Sequence, residues 1–282
     1  DQALFALLVF AQAAIWGWLY STRGIVITTL MSAISSRPRV LAAALANAAP
    51  QMSLYGDIPK SEMLSLWIAG NVVVPVHHSA SVGIALFAYA ARSAAAFRLA
   101  LSFEVGEDVL HFCQMAHVAL YPASTTSCAG PWRYLSLQAW AFVGVHHLIG
   151  LLAGTAAAAE PVATWGEAHL FAALLLAGGL VCYLKAPLQL LEDLSTPSAL
   201  GRAAALIDVL GLLVMTLVRA VFYLPLALSL VRRAFAELGD VSGYYFSVPI
   251  LVAAPLFNVA SIAMHAPYVM ARVREQLQPA DL

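Results

Sequence analysis

The chain has 282 residues, of which 62% are hydrophobic and only 10% are charged, and its formal net charge is −1. A soluble domain carries about 25% charged residues, so this composition has too little polar surface to cover a water-soluble globule. The near-neutral charge, without a basic patch, also excludes nucleic acid as an expected partner. The composition therefore predicts an all-α, polytopic membrane protein.

Seven stretches of the chain are predicted to form membrane-spanning helices, because a spanning helix needs about 20 mostly apolar residues. In chain order they cover residues 3–20, 65–91, 99–121, 134–154, 169–191, 203–230 and 244–270. Together they predict a transmembrane helical bundle with about seven spans.

The segment between the first two predicted spans is less apolar, and we expect it to form short interfacial or re-entrant helices over residues 24–34 and 40–49. The resulting organisation has three parts. They are an N-terminal transmembrane helix with its interfacial segment (1–64), a main helical bundle (65–235), and a C-terminal transmembrane helix with a short tail (236–282).

The third predicted span, which includes "FEVGEDVLH", carries four ionisable residues on one helical face. Glu104, Glu107, Asp108 and His111 follow the spacing i, i+3, i+4 and i+7. A charged residue at the centre of a spanning helix costs about 2.5–3.5 kcal/mol, and such residues usually face a cavity or the bundle interior. The pattern favours a polar cavity within the bundle; the alternative is a polar network that only fixes helix register.

Two pairs of adjacent histidines lie in other apolar spans, His77 with His78 and His146 with His147. Neighbouring residues on a helix point about 100° apart. We therefore expect only one residue of the second pair to point straight into a shared cavity and the other to hydrogen-bond to a neighbouring helix. The first pair, or Arg219 of the sixth span, can supply positive charge to the carboxylates of the third span.

Several kinds of chemistry use histidines within membranes. A di-iron desaturase is excluded, because neither the HxxxH nor the HxxHH spacing occurs. Haem or pigment ligation and a catalytic zinc site, which needs three protein ligands and an open position, both stay open, but no local spacing selects either and no metal ligand is assigned. Acyl transfer is the third candidate, with a histidine as general base and a carboxylate that orients it.

Polar motifs follow one another in a fixed order in the second half of the chain: "GVHHLIG", "LLEDLSTPSALGR" and "LVRAVFYLPL". This order resembles the TLC-domain family, in the branch that lacks the full ceramide-synthase motif, and the resemblance covers residues 66–230. Asp108 is the counterpart of an acidic family residue upstream. The matched residues are His146, His147, Glu192, Ser195, Thr196, Pro197, Arg202, Arg219 and Pro225.

The resemblance implies a protein that binds or modifies a lipid, with a lipid or acyl-CoA as the bound molecule. In an acyl transfer, His146 or His147 would be the general base, Asp108 or Glu192 the orienting carboxylate, and Arg219 a head-group contact. The membrane would be that of the endoplasmic reticulum, as is typical of the family, or a mitochondrial or plastid one. The remaining cavity residues would be His77, His78, Glu104 and His111.

A different class of function stays open beside this one. The chain can be a non-catalytic accessory subunit of a larger organellar complex, with other membrane-protein subunits as partners and a lipid or pigment bound structurally. Locally, Ser195 or Thr196 is expected to cap the sixth span, with Pro197 in its first turn. Pro225 is expected to kink that span and open space beside Arg219.

Overall fold

The computed structural model describes residues 2–20, 24–51, 58–122 and 132–277. The described residues form helices and their connections, with no β-strand among them, so the all-α prediction is confirmed. The helices are α1 (Gln2–Tyr20), α2 (Ile25–Ser35), α3 (Pro38–Gln51), α4 (Lys60–Ala91), α5 (Ala94–Leu120), α6 (Leu137–Ala158), α7 (Gly166–Gln189), α8 (199–238) and α9 (240–277).

The last helical run, Ala199–Leu277, is divided at Gly239. Gly239 has φ 78° and ψ 172°, outside the helical region, and a positive φ of this size favours glycine because it has no Cβ. The chain therefore changes direction here, and α8 and α9 pack side by side. Tyr223 Oη of α8 donates a hydrogen bond to the Ile250 carbonyl of α9 at 2.6 Å.

Within the described residues, five stretches are long and apolar enough to cross a membrane: Gln2–Leu19, Lys60–Ala91, Leu137–Ala158, Gly166–Gln189 and Ala199–Leu277. The predicted number of about seven spans is therefore not confirmed. Two differences explain why the structure has five such stretches where the sequence predicted seven spans. The third predicted span corresponds to α5, which carries four charged residues, and the last two predicted spans belong to the single run divided at Gly239.

Serine N-caps define where three of the long helices begin. The side chains of Ser93, Ser136 and Ser198 accept hydrogen bonds from backbone N–H groups in the first turns of α5, α6 and α8. The expected cap of α8 at Ser195 or Thr196 is wrong. Both residues instead form hydrogen bonds with Asp193: its side chain accepts from Ser195 N and Oγ, and its carbonyl accepts from Thr196 Oγ1. Because these bonds form a local turn, the helix begins only at Ala199.

Among the described residues, wide helical turns precede Pro75, Pro225 and Pro255, and the first two lie in helices that carry predicted site residues. Ala69–Val73 of α4 comes before Pro75, and Leu217–Phe222 of α8 comes before Pro225. Proline has no N–H to bond the carbonyl four residues earlier, and that carbonyl lies inside the wide turn in both cases. Such turns often occur at functional sites. Arg219 lies within the second wide turn, but its Nε is buried against Gly178, so the predicted opening of space beside Arg219 is not seen.

Helix α5 is the centre of the bundle. It packs against α1, α4 and α6, while α4 also packs against α7. The close contact with α1 requires Gly106, because a Cβ there would lie 2.7 Å from Gln12 Cβ and 2.9 Å from the Val9 carbonyl oxygen. This arrangement places the polar face of α5 between the histidine pairs of α4 and α6.

Candidate functional site

The polar face of α5 meets two different histidine-bearing helices. Glu104 and Glu107 contact α4, and Asp108 contacts α6. His111, one turn further along, approaches Glu107, with 3.5 Å between Nε2 and Oε1. The prediction that these four residues share an inward face is confirmed by these contacts.

On the α4 side, two imidazoles approach two carboxylates. His77 Nε2 lies 2.9 Å from Glu107 Oε2 and 3.4 Å from Glu104 Oε1, and His78 Nδ1 lies 3.0 Å from Glu104 Oε2. His77 is fully buried, and Glu107 is 7% exposed. Imidazole and carboxylate are both ligands of divalent metals. We refer to His77, His78, Glu104 and Glu107 as the histidine–glutamate cluster.

On the α6 side, Asp108 and His147 form a buried pair. His147 Nδ1 lies 2.7 Å from Asp108 Oδ1; with Asp108 ionised, the Nδ1–H group donates to the carboxylate and Nε2 is the basic nitrogen. The His147 ring also stacks on His111, with 4.2 Å between the ring centroids. We refer to Asp108 and His147 as the Asp–His dyad. Its geometry matches that of a general base held by a carboxylate.

Gly150 makes room for the dyad. It lies one turn after His147 on α6, and a Cβ at this position would collide with Asp108 Oδ2. The Asp108 side chain therefore occupies the space that any larger residue at position 150 would need. The glycine of "GVHHLIG" is part of the site, although the sequence analysis did not assign it a role.

Indole rings cover both sides of the site. Trp132, in the turn before α6, donates from Nε1 to His111 Nδ1 at 3.0 Å. Trp16 of α1 meets the His77 ring edge-on, with the centroids 4.2 Å apart. The sequence analysis missed both residues, because each comes from a segment far along the chain and neither has a spacing that signals contact with a histidine.

His146 lies beside the dyad, with its ring centroid 5.2 Å from that of His147, but it is exposed. Its ring stacks on Phe257 of α9 with 4.6 Å between the centroids. His147 is thus the one histidine of the pair that faces the shared site, as expected. The expected hydrogen bond from the other histidine to a neighbouring helix is not seen among the described residues, where ring stacking takes its place.

The other two predicted site residues lie elsewhere in the bundle. Glu192 follows α7, and its backbone carbonyl accepts from Asn47 Nδ2 of α3 at 2.8 Å. Arg219 packs against Gly178 of α7, and its Nε is buried with no hydrogen-bond partner among the described residues. Within the described part of the chain, neither residue contacts the Asp–His dyad.

An apolar cleft of about 130 Å³ reaches the site from the side. The one ionisable residue in its wall is Glu104, and its α6 wall includes Gly150, against which the Asp108 carboxylate lies. The accessible lining of the cleft is almost entirely apolar, and the cleft borders the Asp–His dyad only through Gly150. Its lining residues are Leu101, Glu104, Gly150, Ala153, Gly154, Ala157, Ala168, Phe171, Ala172, Leu175, Leu176, Leu230, Phe246 and Ile250.

A second group of buried charges joins α7, α8 and α9. Lys185 Nζ donates to Asp208 Oδ1, and Arg272 Nε lies 3.3 Å from Asp208 Oδ2. Arg272 Nη2 and Gln276 Nε2 also donate to the Leu194 carbonyl, at 3.2 and 3.0 Å. We refer to Lys185, Asp208 and Arg272 as the lysine–aspartate–arginine clamp, because it ties three helices and the connection before α8 together.

Comparison with known proteins adds no relative to this description: no family model, no curated protein and no solved structure matches the chain. The resemblance to the TLC-domain family is therefore carried by the order of its sequence motifs.

Proposed function

We propose that the chain is an integral membrane protein of TLC-like type, with about seven spans, that binds a lipid and transfers its acyl group. The observation that carries the proposal is the apolar cleft, whose wall includes Gly150, against which the Asp108 carboxylate of the dyad lies. A hydrocarbon tail matches the apolar cleft, and the neighbouring dyad is where the reactive end of the same lipid would lie.

The shape of the cleft follows from small residues on one face of α6. Gly150, Ala153, Gly154 and Ala157 recur at i, i+3, i+4 and i+7, so they form one stripe without bulky side chains. Ala168 and Ala172 of α7 continue the small surface across the cleft. Lipid tails in the bilayer are already in an apolar medium, so the small residues would favour an acyl chain through close van der Waals packing and not through the hydrophobic effect.

The dyad supplies the base for an acyl transfer. In the proposed step, His147 Nε2 takes the proton of an acceptor hydroxyl or amine while the acceptor oxygen or nitrogen attacks the acyl carbonyl. The carbonyl re-forms as the bond to the leaving group breaks, and His147 returns the proton to that group. Asp108 holds the imidazole in the required tautomer through its 2.7 Å hydrogen bond.

The test is the lipid content of gently purified protein, measured by mass spectrometry. Ala153→Phe places a ring in the cleft, and the matched control Ala141→Phe places one on the exposed face of the same helix. We expect the wild type and Ala141→Phe to retain one lipid class at a fixed ratio, and Ala153→Phe to lose it.

Bulk membrane lipid alone in all three proteins would contradict the proposal. Co-purification of a stoichiometric protein partner with that result would support the accessory-subunit alternative.

A further inference from the structure

The histidine–glutamate cluster brings four potential ligand atoms together. His77 and His78 come from consecutive positions of α4, and Glu104 and Glu107 lie one turn apart on α5. Each residue offers one atom, and the four atoms lie within 4.8 Å of one another.

The closest separations match those between ligands of one metal ion. Ligands about 2.0–2.1 Å from a tetrahedral zinc ion are about 3.3 Å from each other. His77 Nε2 lies 2.9 and 3.4 Å from oxygen atoms of Glu107 and Glu104, and His78 Nδ1 lies 3.0 Å from Glu104.

His77 gives an independent indication of a missing partner. It is fully buried, and neither of its ring nitrogens has a hydrogen-bond partner among the described residues. Its Nε2 nevertheless lies 2.9 Å from Glu107 Oε2, so the two atoms are close without being aligned for a hydrogen bond. The buried His77 ring, beside two carboxylates, therefore has ligand atoms available for a further partner.

The charge of the cluster favours a cation. Two carboxylates lie within an apolar helical bundle and have imidazoles as neighbours; when those imidazoles are neutral, the carboxylate charge is costly without a cation. One divalent ion would neutralise both carboxylates and leave both histidines as neutral ligands, the form in which imidazole binds metals.

A hydrogen-bond chain positions one of the carboxylates. Trp132 Nε1–H donates to His111 Nδ1, so the second ring nitrogen of His111 carries its proton and faces Glu107 Oε1 at 3.5 Å. The other oxygen of Glu107 is the one that faces His77. Outer groups that orient a ligand in this way are typical of metal sites.

We propose that His77, His78, Glu104 and Glu107 bind one zinc ion. The four ligands are two imidazole nitrogens and two carboxylate oxygens, which suit tetrahedral zinc. The proposal goes beyond lipid binding and does not depend on it, although the metal site and the apolar cleft share Glu104.

The test is metal content of the full chain in detergent. The protein is stripped with a chelator, reloaded with Zn²⁺, desalted and measured by mass spectrometry of the metal. We expect one zinc ion per chain in the wild type. Glu104→Gln and His78→Asn should each bind zinc at least about tenfold more weakly. Glu160→Gln and His265→Asn, which change the same residue types outside the cluster, should bind as the wild type does.

His78 is the more informative variant for folding, because its side chain is 24% exposed and its replacement disturbs packing least. Trp132→Phe should weaken zinc binding about tenfold without removing a ligand, whereas Trp18→Phe, on the exposed face of α1, should not. Loading with Co²⁺ should give the visible absorption of a tetrahedral site in the wild type and not in His78→Asn.

The proposal would be overturned if the reloaded wild type held no zinc, or if the wild type and both cluster variants held equal amounts of zinc. The two histidines would then neutralise the carboxylates as imidazolium ions. Lipid content measured on the same samples separates the two proposals. Retained lipid without zinc would contradict only the metal site, and zinc without lipid would contradict only the lipid function.

Discussion

Two groups of buried charges lie in this bundle, and they differ in what surrounds them. In the lysine–aspartate–arginine clamp, the Asp208 carboxylate pairs with both Lys185 and Arg272, and Arg272 also donates a hydrogen bond to the Leu194 carbonyl. The histidine–glutamate cluster and the neighbouring Asp–His dyad instead border an apolar cleft, through Glu104 and Gly150. The clamp ties helices together, whereas the second region has space and donor atoms for another molecule.

The comparison shows that charge within an apolar bundle does not by itself mark a site. Asp208 is fully buried and is nevertheless explained by its contacts with Lys185 and Arg272. The α5 carboxylates differ because they lie beside a cavity. Variants in the two regions should therefore affect different properties of the protein.

The largest effect is expected from Asp208→Asn, which leaves Lys185 and Arg272 buried without their common acid. Breaking a buried charge pair in this way costs about 3–5 kcal/mol of stability. Thermal unfolding in detergent should show a large drop in the midpoint. The exposed Asp240→Asn should unfold as the wild type does, and an equal, small effect of both substitutions would contradict a clamp at Asp208.

The next largest effect is expected from His147→Asn. The asparagine keeps a donor for the Asp108 carboxylate but has no basic nitrogen, so acyl transfer should fall about 10²- to 10⁴-fold while the unfolding midpoint changes little. Turnover of the lipid class that the wild type retains is the measurement. His146→Asn is the matched control on the outer face, and an identical loss in both variants would show that the dyad is not the base.

A smaller loss is expected from Gly150→Ala. The added Cβ collides with Asp108 Oδ2 and displaces the carboxylate from His147, and a misplacement of about 1 Å can reduce a rate about 10²-fold. Gly83→Ala on α4 is the control, because a Cβ there meets nothing within 4 Å. Unchanged turnover in Gly150→Ala would mean that the close contact with Asp108 does not matter for the chemistry.

The smallest effect concerns the start of α8, next to the clamp. Ser198→Ala removes the N-cap and should cost about 1 kcal/mol, seen as a modest drop in the unfolding midpoint. Ser195→Ala, in the turn formed by Asp193, should cost less. The reverse order would restore Ser195 as the residue that matters in the Ser-Thr-Pro motif.

Sequence reasoning was sufficient where the signal is local. The i, i+3, i+4, i+7 spacing predicted the polar face of α5, and the 100° rotation between neighbours predicted that His146 and His147 would diverge. Both follow from the geometry of one helix. The serine cap was missed because Asp193 competes for Ser195, and a short-range pattern does not show which of two local turns forms.

Contacts between residues on different helices could not be predicted from the spacing within one helix. Trp132 reaches His111 from 21 positions away, and Asp208 meets Arg272 from another helix. Such pairings depend on how the helices pack, which no spacing within one segment encodes. The cleft has the same origin, since it arises where the small residues of α6 meet those of α7.

The most direct measurement pairs lipid content per folded chain with the unfolding midpoint, on the same preparations of Ala153→Phe and Asp208→Asn. We expect Ala153→Phe to lose the retained lipid, and the folded fraction of Asp208→Asn to keep it while unfolding at a lower temperature. Equal lipid content in both variants and the wild type would contradict the account, because the cleft beside the dyad would then not be where a lipid binds.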